Sequence, residues 1–342
     1  MNVEPLQDWL NPEWERFVAG HEHATFFHQL GWKQAVEHGY GLRSHYLLAR
    51  NRNGVFGVLP LFEVHHLRQG KGLVSVPFAS VAGVCATTAE AQQALLHRAV
   101  ELARKTGARY LELRQLNERL ENLDCNEQHV TSLLKLDADP EKVWKGFRSE
   151  IRNRVRKAEK SGLGVEQGGA EFLPDFYRVY RTHMRELGTP AHPLRFLQEV
   201  LQAFPKATRL FLVKLEGETV GGMFVLLHRN VAINMWTSCL TAYGKLSPNN
   251  LLYWHAIKFA AERGFEWFDF GRSVRDSGPF VFKKRWGTEH RPLYYHYFLN
   301  KIARVPEAPG TNAGENWFAN VWKRLPQPVT NHLGPVIRKH IP

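Results

Sequence analysis

The sequence is poor in cysteine and contains no long apolar run. Its three cysteines, Cys85, Cys125 and Cys239, lie far apart, and no Cys-x-x-Cys pair or Cys/His cluster occurs. A disulfide framework and a structural zinc site are therefore not supported, and we expect a reducing compartment, no metal and no tightly bound cofactor. No stretch approaches the ~18 consecutive apolar residues of a transmembrane helix. The start, MNVEPLQDWL, shows no signal peptide pattern, so we expect a cytoplasmic protein.

Positive charge is what the chain has in excess. Its 342 residues include 45 Lys and Arg against 33 Asp and Glu, a formal net charge of +12, and the sequence pI is about 9.7. This balance favours polyanionic partners such as nucleic acid, phosphorylated substrates or an anionic membrane surface. Hydrophobic residues make up 44% of the chain, which is enough for a packed core in two domains.

A hairpin, a helix and a strand are predicted twice, in the same order. The first copy consists of strands at 44–51 and 55–65, a helix at 87–107 that Thr87 or Thr88 caps and Gly107 ends, and a strand at 108–116. The second consists of strands at 208–216, 219–230 and 231–240, a helix at 246–264 and a strand at 265–271. This pattern predicts a duplicated, mixed α/β fold. We place the domains at 1–136 and 137–300, followed by a basic tail rich in Pro and Trp at 301–342.

A basic helix is predicted at the domain boundary, from Pro140 to Ser161. Its apolar residues recur every four positions, as expected for a stripe that faces the core: Val143, Phe147, Ile151 and Val155. Basic residues follow the neighbouring face: Lys145, Arg148, Arg152 and Arg156. This face is either a solvated surface or a cationic surface for RNA or phosphate, and the sequence leaves both open.

Four segments of the chain form a recognisable series. They are FFHQLGWKQAVEHGYG (26–41), FRSEIRNRVRKAEKSGLGV (147–165), NNLLYWHAIKFAAERGFEWFDFGRS (249–273) and GPFVFKKRWG (278–287). In this order, and over roughly residues 10 to 300, the chain resembles the FemAB/FemX-type aminoacyltransferases. The run WKRLP (322–326) is similar to the FemAB-related proteins found with exosortase/PEP-CTERM and exopolysaccharide systems.

The resemblance implies a fold and a reaction class. That family has two tandem acetyltransferase-like (GNAT) domains, in agreement with the duplicated α/β pattern. Its best-known members transfer an amino acid from aminoacyl-tRNA to an amine on a peptidoglycan precursor. We therefore expect an aminoacyltransferase that uses aminoacyl-tRNA and modifies a phosphorylated or acidic, peptidoglycan-type or exopolysaccharide intermediate of the cell envelope.

Lys283 matches the lysine of the family's Phe-Lys element and is the predicted catalytic residue. The resemblance implies that it holds the carbonyl group or stabilises the developing negative charge, a task that suits an ammonium with three donors. An exposed loop lysine is the alternative interpretation. The resemblance also implies that Phe282 packs beside the substrate. Arg272 stands where the family has a second glycine after Asp-Phe-Gly, and it adds a bidentate donor for an anion.

Other positions complete the predicted substrate site. Three lie in the matched segments of the second half and have capping, packing or solvent exposure as the alternative: Asn250, Tyr253 and Arg285. The family element Arg-Pro-x-x-Tyr appears here with His192 and Phe196 at its ends and Arg195 between them. Trp236 takes the place of a family tyrosine, and Lys33 lies near the place of a phosphate-contacting lysine. These departures argue for an acceptor other than the UDP-linked precursor.

The donor has two candidates. A loop that cradles the CoA pyrophosphate is rich in glycine, whereas TAYGKLSPNNLL (241–252) has one glycine and a proline. This favours aminoacyl-tRNA over acyl-CoA. The alternatives to an aminoacyltransferase are an acyl-CoA-dependent enzyme acting on an amino sugar and a non-catalytic scaffold for an anionic glycan or nucleic acid.

The last residues combine apolar and basic side chains. They include Trp317, Phe318, Trp322 and Leu325 together with Lys323, Arg324, Arg338 and Lys339. Such a segment (316–342) lies in a membrane interface, as a peripheral contact, or packs on the protein. Pro326 and Pro328 limit the length of any helix in it.

Overall fold

The chain divides into two compact units in the computed structural model, which describes residues 1–116, 119–305 and 313–341. Unit 1 comprises Met1–His129, Pro292–Ala308 and Arg338–Pro342, and unit 2 comprises Val130–Arg291 and Pro309–Ile337. These units are defined by spatial clustering. The domain limits predicted above stay a prediction.

Strands and helices alternate along the described chain. The helices are α1 (Asn11–Gly20), α2 (Leu30–Tyr40), α3 (Ala89–Thr106), α4 (Pro140–Gly146), α5 (Ser149–Lys160), α6 (Leu173–Leu187), α7 (Leu194–Ala203), α8 (Pro248–Glu262), α9 (Gly278–Lys284), α10 (Ala313–Arg324) and α11 (Gln327–Arg338). The strands are β1 (Asn2–Pro5), β2 (Leu47–Asn51), β3 (Gly54–Leu59), β4 (Phe62–His66), β5 (Gly70–Val74), β6 (Cys85–Ala86), β7 (Tyr110–Leu116), β8 (Asp124–Lys135), β9 (Leu163–Gly168), β10 (Thr208–Leu215), β11 (Glu218–His228), β12 (Val231–Cys239), β13 (Trp267–Val274) and β14 (Glu289–Leu299). The mixed α/β prediction is confirmed.

Unit 1 packs helix α3 against its strands. Strands β1, β2, β3 and β6 form an antiparallel sheet, while β5 pairs antiparallel with β4 and parallel with β7. Helix α3 begins and ends as predicted. The Thr88 hydroxyl accepts a hydrogen bond from the amide of Ala91 (3.2 Å), and Gly107 ends the helix with a φ of +71°.

Unit 2 contains a sheet in the order β9-β10-β11-β12-β13, antiparallel except between β12 and β13. Helix α8 connects these two parallel strands, and its residues Leu252 and Ile257 are fully buried in the core. Because α8 is apolar on nearly all sides, it suits a position inside the unit rather than on its surface. The candidate site described below lies at the carboxyl end of β13.

Two predicted elements are each divided in the structure. The strand predicted at 55–65 is two strands, β3 and β4, because Pro60 has no amide hydrogen to donate to a ladder. The helix predicted at 140–161 is wrong in its continuity: α4 and α5 are separated at Phe147 and Arg148, whose ψ angles are 147° and 148°. The predicted apolar stripe is nevertheless buried, and the Phe147 ring lies 5.1 Å from that of Trp286.

Several helices were not predicted from the sequence, among them α9 and the two helices of the tail. Residues 278–284 form α9, at whose start the Ser277 hydroxyl accepts from the amide of Phe280 (3.4 Å). The predicted tail contains α10 and α11, which are separated at Leu325 and Pro326 as the proline limit requires. WKRLP therefore spans the end of α10 and this break.

Candidate active site

The candidate site begins where the pairing of β12 with β13 ends. The parallel ladder stops at Ile233 opposite Asp269, although β12 continues to Cys239 and β13 to Val274. Beyond this point Gly271 approaches Asn234 closely: a Cβ atom on Gly271 would lie 3.2 Å from the Asn234 carbonyl oxygen, and its φ is +79°. Glycine meets both requirements, the close approach and the left-handed backbone.

Lys283 extends from α9 to this end of β13. Its Nζ donates to the carbonyl oxygens of Gly271 (2.7 Å) and Arg272 (2.9 Å), and the residue is 7% exposed. Burial lowers the pKa of Lys283 to about 8, the Asp269 carboxylate opposes this and Arg272 reinforces it. The interpretation as an exposed loop lysine is wrong. An ammonium has three N–H donors, so the two carbonyl groups leave one for a ligand.

Asp269 is the acidic neighbour of Lys283 at this site. Its Oδ1 accepts from the Thr131 hydroxyl (2.6 Å) and from the Gly271 amide (2.7 Å). Burial raises the pKa of Asp269, whereas these two hydrogen bonds and the charges of Lys283 and Arg291 lower it. The carboxyl group thus fixes the turn at Gly271, which carries one of the two carbonyl acceptors of Lys283.

Tyr253 and Asn234 form the other side of the site. The Asn234 amide donates to the Tyr253 hydroxyl (2.8 Å), and the Thr237 hydroxyl donates to Asn234 Oδ1 (2.7 Å). Burial raises the pKa of Tyr253, so its hydroxyl is neutral at physiological pH. The Tyr253 ring stacks on Phe270 with centroids 4.8 Å apart. These bonds hold two polar side chains of β12 and α8 in a buried setting.

An aromatic wall adjoins these polar groups. The half-buried ring of Phe282 lies 5.4 Å from the Tyr253 ring, and Trp286 is buried beside both. The structure therefore brings together four predicted residues in one region: Lys283, Phe282, Tyr253 and, through its backbone, Arg272. The Arg272 side chain is exposed.

His192 and Trp236 lie in a separate aromatic cluster. Their rings are 5.4 Å apart, and Phe196 lies 5.4 Å from His192 and 5.9 Å from Trp236. His192 is buried, and its backbone carbonyl accepts from the Tyr177 hydroxyl (3.1 Å). Arg195 is exposed instead and lies 3.7 Å from Glu199 on the same helix. Substrate contact by these residues stays a prediction.

The remaining substrate candidates have different surroundings. Arg285 is exposed and forms an ion pair with Glu150 (3.2 Å). Asn250 is buried in the first turn of α8, and its Nδ2 has no hydrogen-bond partner within the described part of the chain. Lys33 belongs to unit 1, where it forms an ion pair with Glu37 (2.9 Å).

The predicted basic face is distributed over α4, α5 and the break between them. Lys145, Arg148 and Arg156 are exposed, whereas Arg152 is partly buried. The Arg156 guanidinium lies over the Trp144 ring, 5.7 Å from its centroid. The apolar side of α5 is buried through Ile151 and Val155. The basic side chains thus lie on the outer side of a packed helix, as both interpretations of the face require.

Sequence reasoning did not identify Asn234, Thr131 or His290 as site residues. His290 Nδ1 lies 3.1 Å from the Ser132 hydroxyl, and its Nε2 has no partner among the described residues. Burial and the charges of Lys284 and Arg275 lower the pKa of His290. Its imidazole is therefore neutral at pH 7 and is able to accept a proton. None of these positions stands in a motif, so only the fold reveals them.

Neither a metal centre nor a membrane span is found in residues 1–116, 119–305 and 313–341. No group of three or more His, Cys, Asp or Glu side chains there has the arrangement of a metal site. No helix in the same residues combines the length and the apolarity needed to cross a bilayer.

Comparison with known proteins shows what the fold is similar to. Residues 145–284 match the acetyltransferase (GNAT) domain family, and a search of the curated proteins gives no match. The fold resembles that of FemX (TM-score 0.65, 17% identity, 88% of this chain and 98% of FemX). It also resembles a tandem GNAT protein of the clavulanic acid biosynthesis pathway, with a TM-score of 0.58 and 12% identity over 89% of this chain and 99% of that protein. A third similar structure is a C-terminal domain assigned to a lysylphosphatidylglycerol synthetase from Agrobacterium fabrum. Its TM-score is 0.58, with 13% identity over 86% of this chain and 92% of that domain.

These similarities concern the fold, because all three structures are distant in sequence. They confirm the predicted fold class, two tandem GNAT domains. Four residues of the site lie within the region that matches the GNAT family, residues 145–284: Asn234, Tyr253, Asp269 and Lys283. The link to exosortase systems stays a prediction. The chain therefore has a tandem GNAT fold like that of FemX, and residues 145–284 in its second half match the acetyltransferase (GNAT) domain family.

Proposed function

We propose that this protein transfers an aminoacyl group from aminoacyl-tRNA to an amine on a phosphorylated or acidic intermediate of the cell envelope or of an exopolysaccharide. The observation that carries the proposal is the buried ammonium of Lys283, fixed by two carbonyl groups at the end of β13. FemX has a similar fold, and so does a domain assigned to a lysylphosphatidylglycerol synthetase. Both similarities support an aminoacyl donor and an envelope acceptor.

The reaction needs stabilisation of negative charge more than it needs a protein nucleophile. The neutral acceptor amine attacks the ester carbonyl carbon of the aminoacyl donor, a C–N bond forms, and the C–O bond to the tRNA breaks. The amine loses one proton, and the released tRNA hydroxyl oxygen gains one. Negative charge develops on the carbonyl oxygen during the attack. A hydrogen-bond donor that already points at that oxygen lowers the activation barrier, because the site needs no reorganisation during the reaction. The third N–H of Lys283 is our candidate for that donor.

The segment before α8 argues against acyl-CoA as the donor in unit 2. The Glu186 carboxylate accepts from the Thr241 amide (3.1 Å) and hydroxyl (2.6 Å), at the start of this segment. The Tyr243 amide donates to the Leu240 carbonyl oxygen (3.0 Å), and the Ser247 amide donates to that of Gly244 (3.1 Å). Since a pyrophosphate needs unoccupied amides and no nearby negative charge, this segment suits it poorly. Aminoacyl-tRNA is therefore our proposed donor.

The exposed side chains of the basic face are our candidate contacts for tRNA phosphates. We expect that replacing Lys145, Arg148 and Arg156 by Gln weakens tRNA binding and reduces the slope of log K against log salt by about 2, because each phosphate contact contributes roughly 0.7 to 0.9. The measurement is a tRNA binding titration at several salt concentrations.

The matched control replaces three other exposed basic residues of unit 2, Lys206, Lys258 and Arg263, by Gln. It should leave the slope nearly unchanged. An equal loss in both triple variants would indicate a nonspecific charge effect. Salt-insensitive binding by the unaltered protein would contradict tRNA as the donor.

The reaction should also depend on pH in a predictable direction. If the Lys283 ammonium stabilises the transition state, its protonated form is the active one, and that form predominates below its pKa of about 8. The transfer rate should therefore fall as the pH rises through about 8, after rising at lower pH as the acceptor amine loses its proton. The measurement is single-turnover transfer between about pH 6 and pH 10. A rate that still increases at the alkaline end would show that the charge of Lys283 is not needed.

The direct test of the proposal is incubation of the protein with a labelled pool of aminoacyl-tRNAs and an envelope extract. We expect label in an envelope intermediate and no transfer from a matched pool of acyl-CoAs. Transfer from acyl-CoA and not from aminoacyl-tRNA would show that acyl-CoA is the donor and would contradict this part of the proposal. Binding of an anionic glycan or RNA without transfer from either pool would favour the scaffold.

A further inference from the structure

Helices α10 and α11 attach to unit 2 through one side. Trp322 and Thr330 are buried, Arg185 donates to the Leu325 carbonyl oxygen (2.7 Å), and Gln327 donates to the Thr182 hydroxyl (2.9 Å). Gly188, at the end of α6, approaches α10 so closely that a Cβ atom there would lie 2.7 Å from Ala319. The two helices therefore have a fixed position on this unit.

The other side of these helices exposes large apolar side chains. Trp317 is 68% exposed and Val336 is 57% exposed. Six of the ten exposed large hydrophobic residues in the described chain belong to this region, which we call the apolar face: Leu187, Trp317, Val321, Val329, Leu333 and Val336. On α11 the spacing of Val329, Leu333 and Val336 places all three on one side of the helix. Such a concentration of exposed apolar groups marks an interaction surface.

The segment that carries five of the six residues of the apolar face is basic. Residues 316–342 contain four basic residues, Lys323, Arg324, Arg338 and Lys339, and no Asp or Glu. Lys323 and Arg324 are exposed at the end of α10. Apolar side chains flanked by basic ones, with tryptophan among them, are typical of helices that lie in the interface of an anionic bilayer.

A cavity in the same unit also favours a lipid as the partner. It has a volume of about 650 Å³, lies between α6 and α7, and is lined mainly by apolar side chains together with Arg178 and Arg181. Tyr177 and Arg181 line this cavity and also the small crevice beneath α11. Arg181 Nε is buried and has no hydrogen-bond partner within the described residues. A cavity of this character suits an acyl chain that carries an anionic group.

We propose that the apolar face formed by α6, α10 and α11 binds the surface of an anionic lipid bilayer. The apolar side chains enter the boundary between headgroups and acyl chains, and Lys323 and Arg324 contact the lipid phosphates. The proposal does not depend on the reaction proposed above.

Vesicle flotation with the full chain tests this proposal. We expect the protein to bind vesicles that contain phosphatidylglycerol and to bind pure phosphatidylcholine vesicles much more weakly, with a loss at high salt. Replacing both Trp317 and Leu333 by Ala should weaken binding about tenfold or more, because both side chains would otherwise leave water. Replacing Lys323 and Arg324 by Gln should weaken it about fivefold for each charge.

The chain offers a matched control for the double variant. Trp9 and Leu67 are each 64% exposed but lie in unit 1. Replacing both by Ala should leave vesicle binding unchanged. The proposal is overturned if neither type of vesicle binds, if the control loses as much affinity as the test variant, or if neutral vesicles bind equally well. It is also overturned if light scattering shows a dimer that the Trp317/Leu333 variant dissociates, since a second copy would then cover this face.

Discussion

Replacing Lys283 by methionine is expected to reduce aminoacyl transfer about a hundredfold or more, mainly in kcat, because loss of one preorganised donor to a developing oxyanion has an effect of this size. Methionine keeps much of the side-chain volume but cannot donate to the carbonyl oxygens of Gly271 and Arg272. KM should change much less than kcat if the ammonium acts on the transition state rather than on the bound substrate. Steady-state transfer from charged tRNA measures both constants.

The adjacent lysine provides the control for this variant. Lys284 is exposed whereas Lys283 is buried, so Lys284→Met removes the same charge from the same helix without removing a buried donor. We expect its activity to stay within about twofold of the unaltered protein, as for surface substitutions in general. Circular dichroism and thermal unfolding establish that both variants are folded. If a folded Lys283→Met variant transferred at the normal rate, Lys283 would be a structural residue that only fixes the end of β13.

Replacing Asp269 by alanine is expected to lower the free energy of unfolding by about 3 kcal/mol and to abolish transfer, because it leaves buried polar partners unpaired. The Thr131 hydroxyl and the Gly271 amide lose their acceptor, and the Lys283 ammonium loses its nearby negative charge. The turn that presents the Gly271 carbonyl to Lys283 should then become less well defined. Chemical denaturation measures the stability and the transfer assay measures the second effect.

A double-variant cycle distinguishes this coupling from a simple loss of packing. If Asp269 mainly balances the charge of Lys283, the combination of Asp269→Ala with Lys283→Met should be less destabilising than the sum of the two single changes. Strict additivity would contradict the coupling.

The pH dependence of stability provides a second criterion. Burial raises the pKa of Asp269, so the native state binds this proton more tightly than the unfolded state does. Its contribution to stability is present at low pH and declines as the pH rises through the native pKa, and Asp269→Asn should lack this decline.

The secondary-structure elements that were predicted correctly are those whose signals lie in neighbouring residues. Helix α3 was predicted with its cap at Thr87 or Thr88, of which the structure has Thr88, and with its end at Gly107. These features could be predicted because capping and left-handed termination depend on neighbouring residues. The break at Phe147 was not predicted, because the ring of Phe147 packs against Trp254 and Trp286, more than 100 positions away. Helix α9 was also not predicted, since a seven-residue helix carries little periodic signal.

The candidate site was predicted only in part, for the same reason. Lys283, Phe282 and Tyr253 were identified through a resemblance in local motifs, and the structure brings them together. Thr131 and Asn234 belong to other strands, and no local pattern marks them. Arg285, which lies in the same matched segment, is exposed and forms an ion pair with Glu150, and its contact with a substrate stays a prediction.

The sequence by itself determined the duplicated α/β pattern, the excess of positive charge and the apolar stripe of the boundary helices, because each depends on composition or short-range periodicity. Tertiary structure alone decided that Lys283 is buried rather than exposed, that its Nζ binds the end of β13, and that Asp269 fixes the turn beside it. These facts depend on contacts between β8, β13 and α9, in which the bonded residues are up to 138 positions apart in the chain. The pKa of a lysine and the groups to which it donates depend on its burial and its partners. Neither can be predicted from its neighbours in the sequence.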